Sequence, residues 1–142
     1  MSETLAEFIA RHECRAGKPD LRMYLDSLGI ETIGYGHNLR DKPITKAAAD
    51  QIFRDDLTDI QLEVTHAFPW YADLTQPRQW VILDMTFNLG LAGLKKFVKF
   101  LSAVELGNYD TAADEMLDSL WAKQVKGRAL ELAGMMRGTE SV

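Results

Sequence analysis

The sequence holds a single cysteine, Cys14, so no disulfide can form within the chain, and folding in a reducing compartment suits it. It has no apolar run near the ~20 residues that a membrane-crossing helix needs, so membrane insertion is not expected. The opening stretch MSETLAEFIARHE has neither a basic start nor a continuous apolar segment, and no secretory signal is expected there. Positive charge is scarce too. The formal net charge is −5, whereas a nucleic-acid binder needs a basic footprint. Internal repeats and low-complexity segments are missing.

Several chemistries lack their residues. His12 and Glu13 begin no HExxH pattern, because the position four after His12 is Ala16. His37 and His66 have no suitably spaced partners, so no metal is expected. Gly34-Tyr35-Gly36 is too short for a dinucleotide fingerprint and opens no helix, so no cofactor is expected. Cys14 as a nucleophile would need an activated histidine, and His12 on the same helix points elsewhere.

What is present fits one domain. A chain of 142 residues can bury a sizeable core. Apolar residues make up 46% and charged residues 26%, an ordinary globular balance. The acidity is uneven: residues 1–76 carry 8 Lys/Arg against 13 Asp/Glu, and residues 77–142 carry 8 against 8. Much of it lies between Asp41 and Asp73, as expected of a solvated helix face. Lys95, Lys96, Lys99, Lys123 and Lys126 are the local bases that could meet an anionic polymer, and they read equally as ordinary helix-surface lysines.

Hydrophobic spacing and stop signals set out the elements. Thr4 and Glu7 fit a capping box ahead of Leu5, Phe8 and Ile9 at helical spacing. Leu5, Ile9 and Glu13 fall on one line, so Glu13 is expected at the end of an apolar stripe. Gly17-Lys18-Pro19-Asp20 stops that helix. Residues 21–39 read as an antiparallel hairpin or three-stranded ribbon, with turns at Asp26–Gly29 and Gly34–Gly36. Thr45 can cap a long helix running to about Ala67, where Pro69 stops it. Trp80, Val81, Ile82, Leu83, Met85, Phe87 and Leu89 predict a helix buried on most sides, broken at Gly90 and Gly93. Further helices are expected over 94–106, from Asp110 to about Leu120, and over 125–136. The expected class is α+β and mainly helical: one domain over 1–142, with a β-hairpin lobe and long connecting helix in 1–67 and a helical lobe in 68–142.

The chemistry-bearing candidates cluster early. A carboxyl on an apolar stripe is poorly solvated, which favours its protonated form and suits a general acid. Glu13 is that candidate, and an ion pair with Arg11, Arg15 or a distant arginine is the plain alternative. Asp26 with Gly29 fits a type I turn, so Asp26 serves either the turn or the chemistry. Thr32 is either a strand former or a hydroxyl that positions water. A buried acid, a second carboxylate and a hydroxyl together suit glycoside hydrolysis. Strand alternation puts the rival carboxylate, Glu31, on the face opposite Thr32.

These residues, in this order, resemble the phage-type lysozymes (endolysins) of T-even bacteriophages. The resemblance rests on Glu13 at the end of the first helix, Tyr24-Leu25-Asp26, and Thr32-Ile33-Gly34-Tyr35-Gly36-His37-Asn38-Leu39. It continues through Met85-Thr86-Phe87-Asn88-Leu89-Gly90, Gly93, Phe97, Ser119-Leu120-Trp121, Gln124, Arg128-Ala129 and Arg137-Gly138-Thr139. It implies a lysozyme-like fold and cleavage of the β-1,4 bond between N-acetylmuramic acid and N-acetylglucosamine in bacterial peptidoglycan. By position it implies Glu13 as general acid, Asp26 as second carboxylate and Thr32 as the water-placing hydroxyl. It also implies Asn38 and Phe87 as residues lining the sugar cleft and Arg128 as a brace for Glu13. Inversion is the implied outcome, with carboxyls ~6.5–9.5 Å apart.

The expected protein is a monomer that accumulates in the host cytoplasm before lysis. It would reach the wall and periplasm when a holin-like partner opens the membrane. The alternative is a non-catalytic peptidoglycan-binding or virion-associated module on the same fold. The sequence departs from the family pattern at Cys14, where a glycine usually stands, and in the longer path from Glu13 to Asp26. It departs again at Glu31 beside Thr32, and in a shorter segment between His37 and the long helix.

Overall fold

A computed structural model describes residues 2–138. The fold is α+β, with seven α-helices and a three-stranded antiparallel sheet among the described residues. The chain gathers into two compact units that divide between Ile52 and Phe53.

The first unit opens with α1 (Leu5–Glu13). Its start is the expected capping box: Thr4 Oγ1 accepts from the Glu7 amide at 3.1 Å, and Glu7 Oε2 accepts from the Thr4 amide at 2.9 Å. Two of the four amides that a helix start leaves unpaired are satisfied this way. A single 3-10 turn (Arg15–Gly17) follows, with Ala16 at φ 58° and Gly17 at φ 69°. The sheet then runs β1 (Asp20–Leu25), β2 (Glu31–Gly34) and β3 (His37–Asn38), in the order β1-β2-β3. The register shifts between Asp20 and Tyr24, where β1 advances four residues against two on β2.

The long helix α2 (Lys46–Ala67) starts where Thr45 Oγ1 accepts from the Ala48 amide at 3.1 Å. It ends before Pro69, which has no amide hydrogen to continue the ladder. The remaining helices are α3 (Gln76–Lys95), α4 (Val98–Glu105), α5 (Tyr109–Leu117), α6 (Leu120–Val125) and α7 (Gly127–Arg137). The core of the second unit is built from Met85, Phe100, Met116, Trp121, Leu132 and Met136, among others. Each such side chain contributes about 1.5–3 kcal/mol on full burial.

Three expectations change in this unit. Gly90 breaks the helical geometry as expected (φ 75°, ψ 161°, a conformation open to glycine), but Gly93 does not, and the helix resumes and runs to Lys95. Val81, Ile82 and Met85 are buried as expected, and Thr86 is buried with them, but Trp80 and Phe87 remain 44% and 46% exposed. The six-residue helix α6 is additional. Ser119 Oγ accepts from the Ala122 amide at 3.1 Å, and Lys126 at φ 43° separates α6 from α7.

Candidate active site

Pairing in the sheet decides which side chains share a face. Tyr24 stands opposite Thr32, and Thr32 opposite Asn38, so these three lie on one face. Leu25 opposite Glu31 and Ile33 opposite His37 lie on the other. The expected separation of Thr32 from Glu31 is therefore present.

Asp26 builds its turn in full. Its carbonyl accepts from the Gly29 amide at 2.9 Å, with Gly29 at φ 76°, and its amide donates to Ile30 at 3.0 Å. Its Oδ1 accepts from the Leu28 and Ile30 amides at 2.8 and 2.9 Å. One carboxylate oxygen is thus fixed by backbone, and Oδ2 carries no bond within the turn. Thr32 is buried, and its hydroxyl donates to the Ile30 carbonyl at 2.8 Å. Its oxygen lone pairs remain able to accept. Asn38 closes the next turn: Nδ2 donates to Asp41 Oδ2 at 2.9 Å and Oδ1 accepts from the Asp41 amide at 3.0 Å.

Glu31 has a structural partner. Arg40 Nε lies 3.1 Å from its carboxylate, and Arg40 Nη2 donates to the Gly29 carbonyl at 2.8 Å. The guanidinium straps the Asp26–Ile30 turn to β2. Its hydrogen bond also holds the Glu31 carboxyl below the usual carboxylate value.

Glu13 lies against the β2–β3 turn. A Cβ built on Gly36 would meet Glu13 Oε2 at 3.0 Å and Glu13 Cβ at 3.5 Å. Gly36 has φ 78°, so both its conformation and its missing side chain admit the carboxylate. Beside it Cys14 is buried, and its thiol donates to the Gly34 carbonyl at 3.4 Å. The end of α1 is thereby fixed on the Gly34–Gly36 turn. Two sequence expectations for Glu13 resolve differently. The apolar stripe is not buried: α1 buries none of its residues, and Glu13 is exposed. Arg11, a rival partner, pairs instead with Glu3 at 2.5 Å.

Tyr24 brings these groups into one electrostatic neighbourhood. Its phenol is pushed above the ordinary tyrosine value first by desolvation, then by the negative charge of Asp20, Cys14, Asp26 and Glu13. Glu13 and Asp26 therefore act on one side chain, which in turn is the sheet neighbour of Thr32.

In the second unit, Phe87 meets Phe53 edge to face with ring centroids 5.6 Å apart. Both line a groove of about 610 Å³ with Trp80, Leu83, Asp84 and Arg128. Arg128 Nε donates to Asp84 Oδ1 at 2.7 Å, so α7 is tied to α3 by this pair. Asn88 Oδ1 accepts from Trp121 Nε1 at 2.7 Å, which joins the two helical signatures read from the sequence.

The model of the phage lysozyme family matches residues 17–140. The chain belongs to that family. The match starts after Glu13, so the candidate acid lies outside the matched span. The pre-baseplate central spike protein Gp5 of Enterobacteria phage T4 is 29% identical over 154 aligned residues, which take in 89% of this chain and 26% of Gp5. A probable T4-type lysozyme 1 of Dictyostelium discoideum is 25% identical over 139 residues, 77% of this chain and 81% of that protein. The chain thus spans about a quarter of Gp5 and most of the Dictyostelium relative. The lysozyme family is one of glycoside hydrolases.

For a member of this family, sequence reading passed over Gly36, Tyr24 and Asp84. The glycine pair flanking Tyr35 was visible as a turn, but the approach of Glu13 to one of those glycines was not. Nothing local pairs Arg128 with a carboxylate 44 positions away. Among the described residues no group of three or more histidine, cysteine or acidic side chains could hold a metal, and no helix is long and apolar enough to cross a membrane. Thr139, the last residue of the family resemblance, lies outside the described residues.

Proposed function

We propose that this protein is a muramidase that hydrolyses the β-1,4 bond between N-acetylmuramic acid and N-acetylglucosamine in peptidoglycan. The carrying observation is that the Glu13 carboxylate sits against Gly36 of the hairpin that holds Asp26 and Thr32. Membership of the phage lysozyme family supports the same reading.

In this mechanism Glu13 gives a proton to the leaving glycosidic oxygen. A water attacks the anomeric carbon from the opposite face, and the configuration inverts. Asp26 receives the water's proton through Oδ2, because Oδ1 is committed to two amides. Thr32 accepts a hydrogen bond from that water, because its own hydroxyl hydrogen is engaged by Ile30. Asn38 and Phe87 are the proposed sugar contacts and Arg128 a supporting cation. No cofactor enters the scheme. The protein works as a monomer released from the host cytoplasm to the wall by a holin-like partner.

A second reading, a particle-borne lysozyme module, is favoured by one finding. The T4 relative is named a pre-baseplate central spike protein. Its presence in purified virions would select it.

The test is Glu13→Gln on purified peptidoglycan. Release of new reducing ends should fall by at least about 100-fold, as expected for loss of a general acid, with circular dichroism unchanged. Mass spectrometry of wild-type products should find the new reducing end on N-acetylmuramic acid. Activity of the variant within a few-fold of wild type would overturn the mechanism.

A further inference from the structure

Asp26 and Arg40 meet in a single peptide unit, the one between Gly29 and Ile30. Its carbonyl oxygen accepts from Arg40 Nη2 at 2.8 Å, and its amide donates to Asp26 Oδ1 at 2.9 Å. The unit is planar, so its two ends turn together and a rotation that frees one bond also breaks the other. The next carbonyl along, that of Ile30, accepts from the Asp26 amide at 3.0 Å and from the Thr32 hydroxyl at 2.8 Å. The two side chains assigned to the attacking water thus hang on adjoining peptides. Arg40 is itself well held. Its Nε lies 3.1 Å from Glu31 Oε2 and its Nη2 3.4 Å from Glu31 Oε1, so one edge of the guanidinium sits on that carboxylate. Nη2 has a hydrogen for the carboxylate and another for the Gly29 carbonyl. Behind the side chain, the Leu39 amide donates to the Glu31 carbonyl at 2.8 Å, and the Asn38–Asp41 turn closes around the Arg40 backbone.

We propose that Arg40 is a positioning residue of the muramidase site, acting on Asp26 through the Gly29–Ile30 peptide. A cation on a carbonyl oxygen polarises the peptide and makes its N–H a stronger donor. It also stops that peptide from rotating, a motion to which glycine at φ 76° is otherwise open. Both effects fix Asp26 Oδ1, and fixing Oδ1 aims Oδ2 at the water. Glu31, a departure from the family pattern, is what anchors the cation. An ion pair as exposed as this one adds little to stability, so its consequence is the placement of the turn.

The role rests on the muramidase reading, but one of its two tests does not need activity. In Arg40→Ala, hydrogen exchange at the Ile30 amide should quicken about tenfold, the scale of one lost hydrogen bond to a charged group. The Leu28 amide, which bonds the same Asp26 oxygen from another peptide, should change less. Arg40→Lys keeps the charge but not the fork, so it should resemble Arg40→Ala. Unchanged exchange at Ile30, or full recovery by lysine, would overturn the clamp, whether or not the protein cuts peptidoglycan.

The second test is a kinetic double-mutant cycle. Arg40→Ala should lower kcat about tenfold with little change in KM, because Asp26 acts on the water and not on binding. Its unfolding midpoint should stay close to that of the wild type. Asp26→Asn should then cost about tenfold less in the Arg40→Ala background than in the wild type, since the aspartate it removes is already misplaced. Strictly additive losses would overturn the role even if the rate fell, because a side chain with a purely structural part does not act through Asp26. If the wild-type protein releases no reducing ends, the muramidase reading fails and the catalytic role falls with it, while exchange at Ile30 still decides whether Arg40 holds the turn.

Discussion

Gly36 is the residue on which the candidate acid most directly depends. Its φ of 78° lies in the left-handed region, and a Cβ there would stand 3.0 Å from Glu13 Oε2. Gly36→Ala thus imposes two costs. The backbone must hold a conformation that costs an L-residue about 1–2 kcal/mol, and the carboxylate must move aside. The expected outcome is a stability loss of about 1–2 kcal/mol by denaturant titration, with activity down roughly 100-fold, since small misplacements of a reacting group cost that much. Stability loss alone, with activity retained in the folded fraction, would mean that the contact with Glu13 has no part in the reaction. At this scale the sequence was a partial guide. Asp26 and Thr32 each admitted a plain local role, and each performs it: Asp26 holds its turn and Thr32 bonds back to Ile30. Their local roles and the proposed chemistry use different atoms, so neither role excludes the other.

At the scale of elements, the signals that were legible are those made by neighbours in sequence. The capping box of α1, the Thr45 start of α2 and the Pro69 stop are all short-range hydrogen-bonding patterns, and all three appear where expected. The elements that escaped are set by contacts or backbone states with no strong local signature. Helix α6 exists because Ser119 caps it and Lys126 departs from helical geometry just beyond. The path from α1 to β1 is a similar case. Gly17-Lys18-Pro19-Asp20 was legible as a stop, but Ala16 at φ 58° was not. Ala16→Gly offers a measurement of that strain. A left-handed conformation costs alanine about 1–2 kcal/mol, and glycine's greater freedom in the unfolded chain takes back about 0.5–1 kcal/mol. The net expectation is a gain of about 0.5 kcal/mol in thermal or denaturant unfolding. A loss of that size would show that the turn carries no such strain.

For the whole molecule, the three tryptophans give a way to observe one compact unit at a time. Trp70, Trp80 and Trp121 all follow Phe53, so selectively excited tryptophan fluorescence comes from the second unit alone. That unit buries Tyr71, and burial pushes its phenol above the ordinary value of 10.0. The raised value fixes the sign of the pH dependence. Where the folded value exceeds the unfolded one, the folded form binds the proton more tightly, so the contribution is complete below pH 10 and falls away as pH climbs through the raised value. Fluorescence-detected melts of the wild type should therefore lose temperature stability progressively above pH 10. Tyr71→Phe keeps the ring and removes the titrating group, so its melting temperature should decline less steeply over the same range. Deprotonation of exposed lysines also sets in there, and it is common to both proteins, so the difference between the two slopes isolates the phenol. Identical slopes would mean that the phenol ionises as readily in the folded unit as in the unfolded chain, and that its burial has no electrostatic consequence.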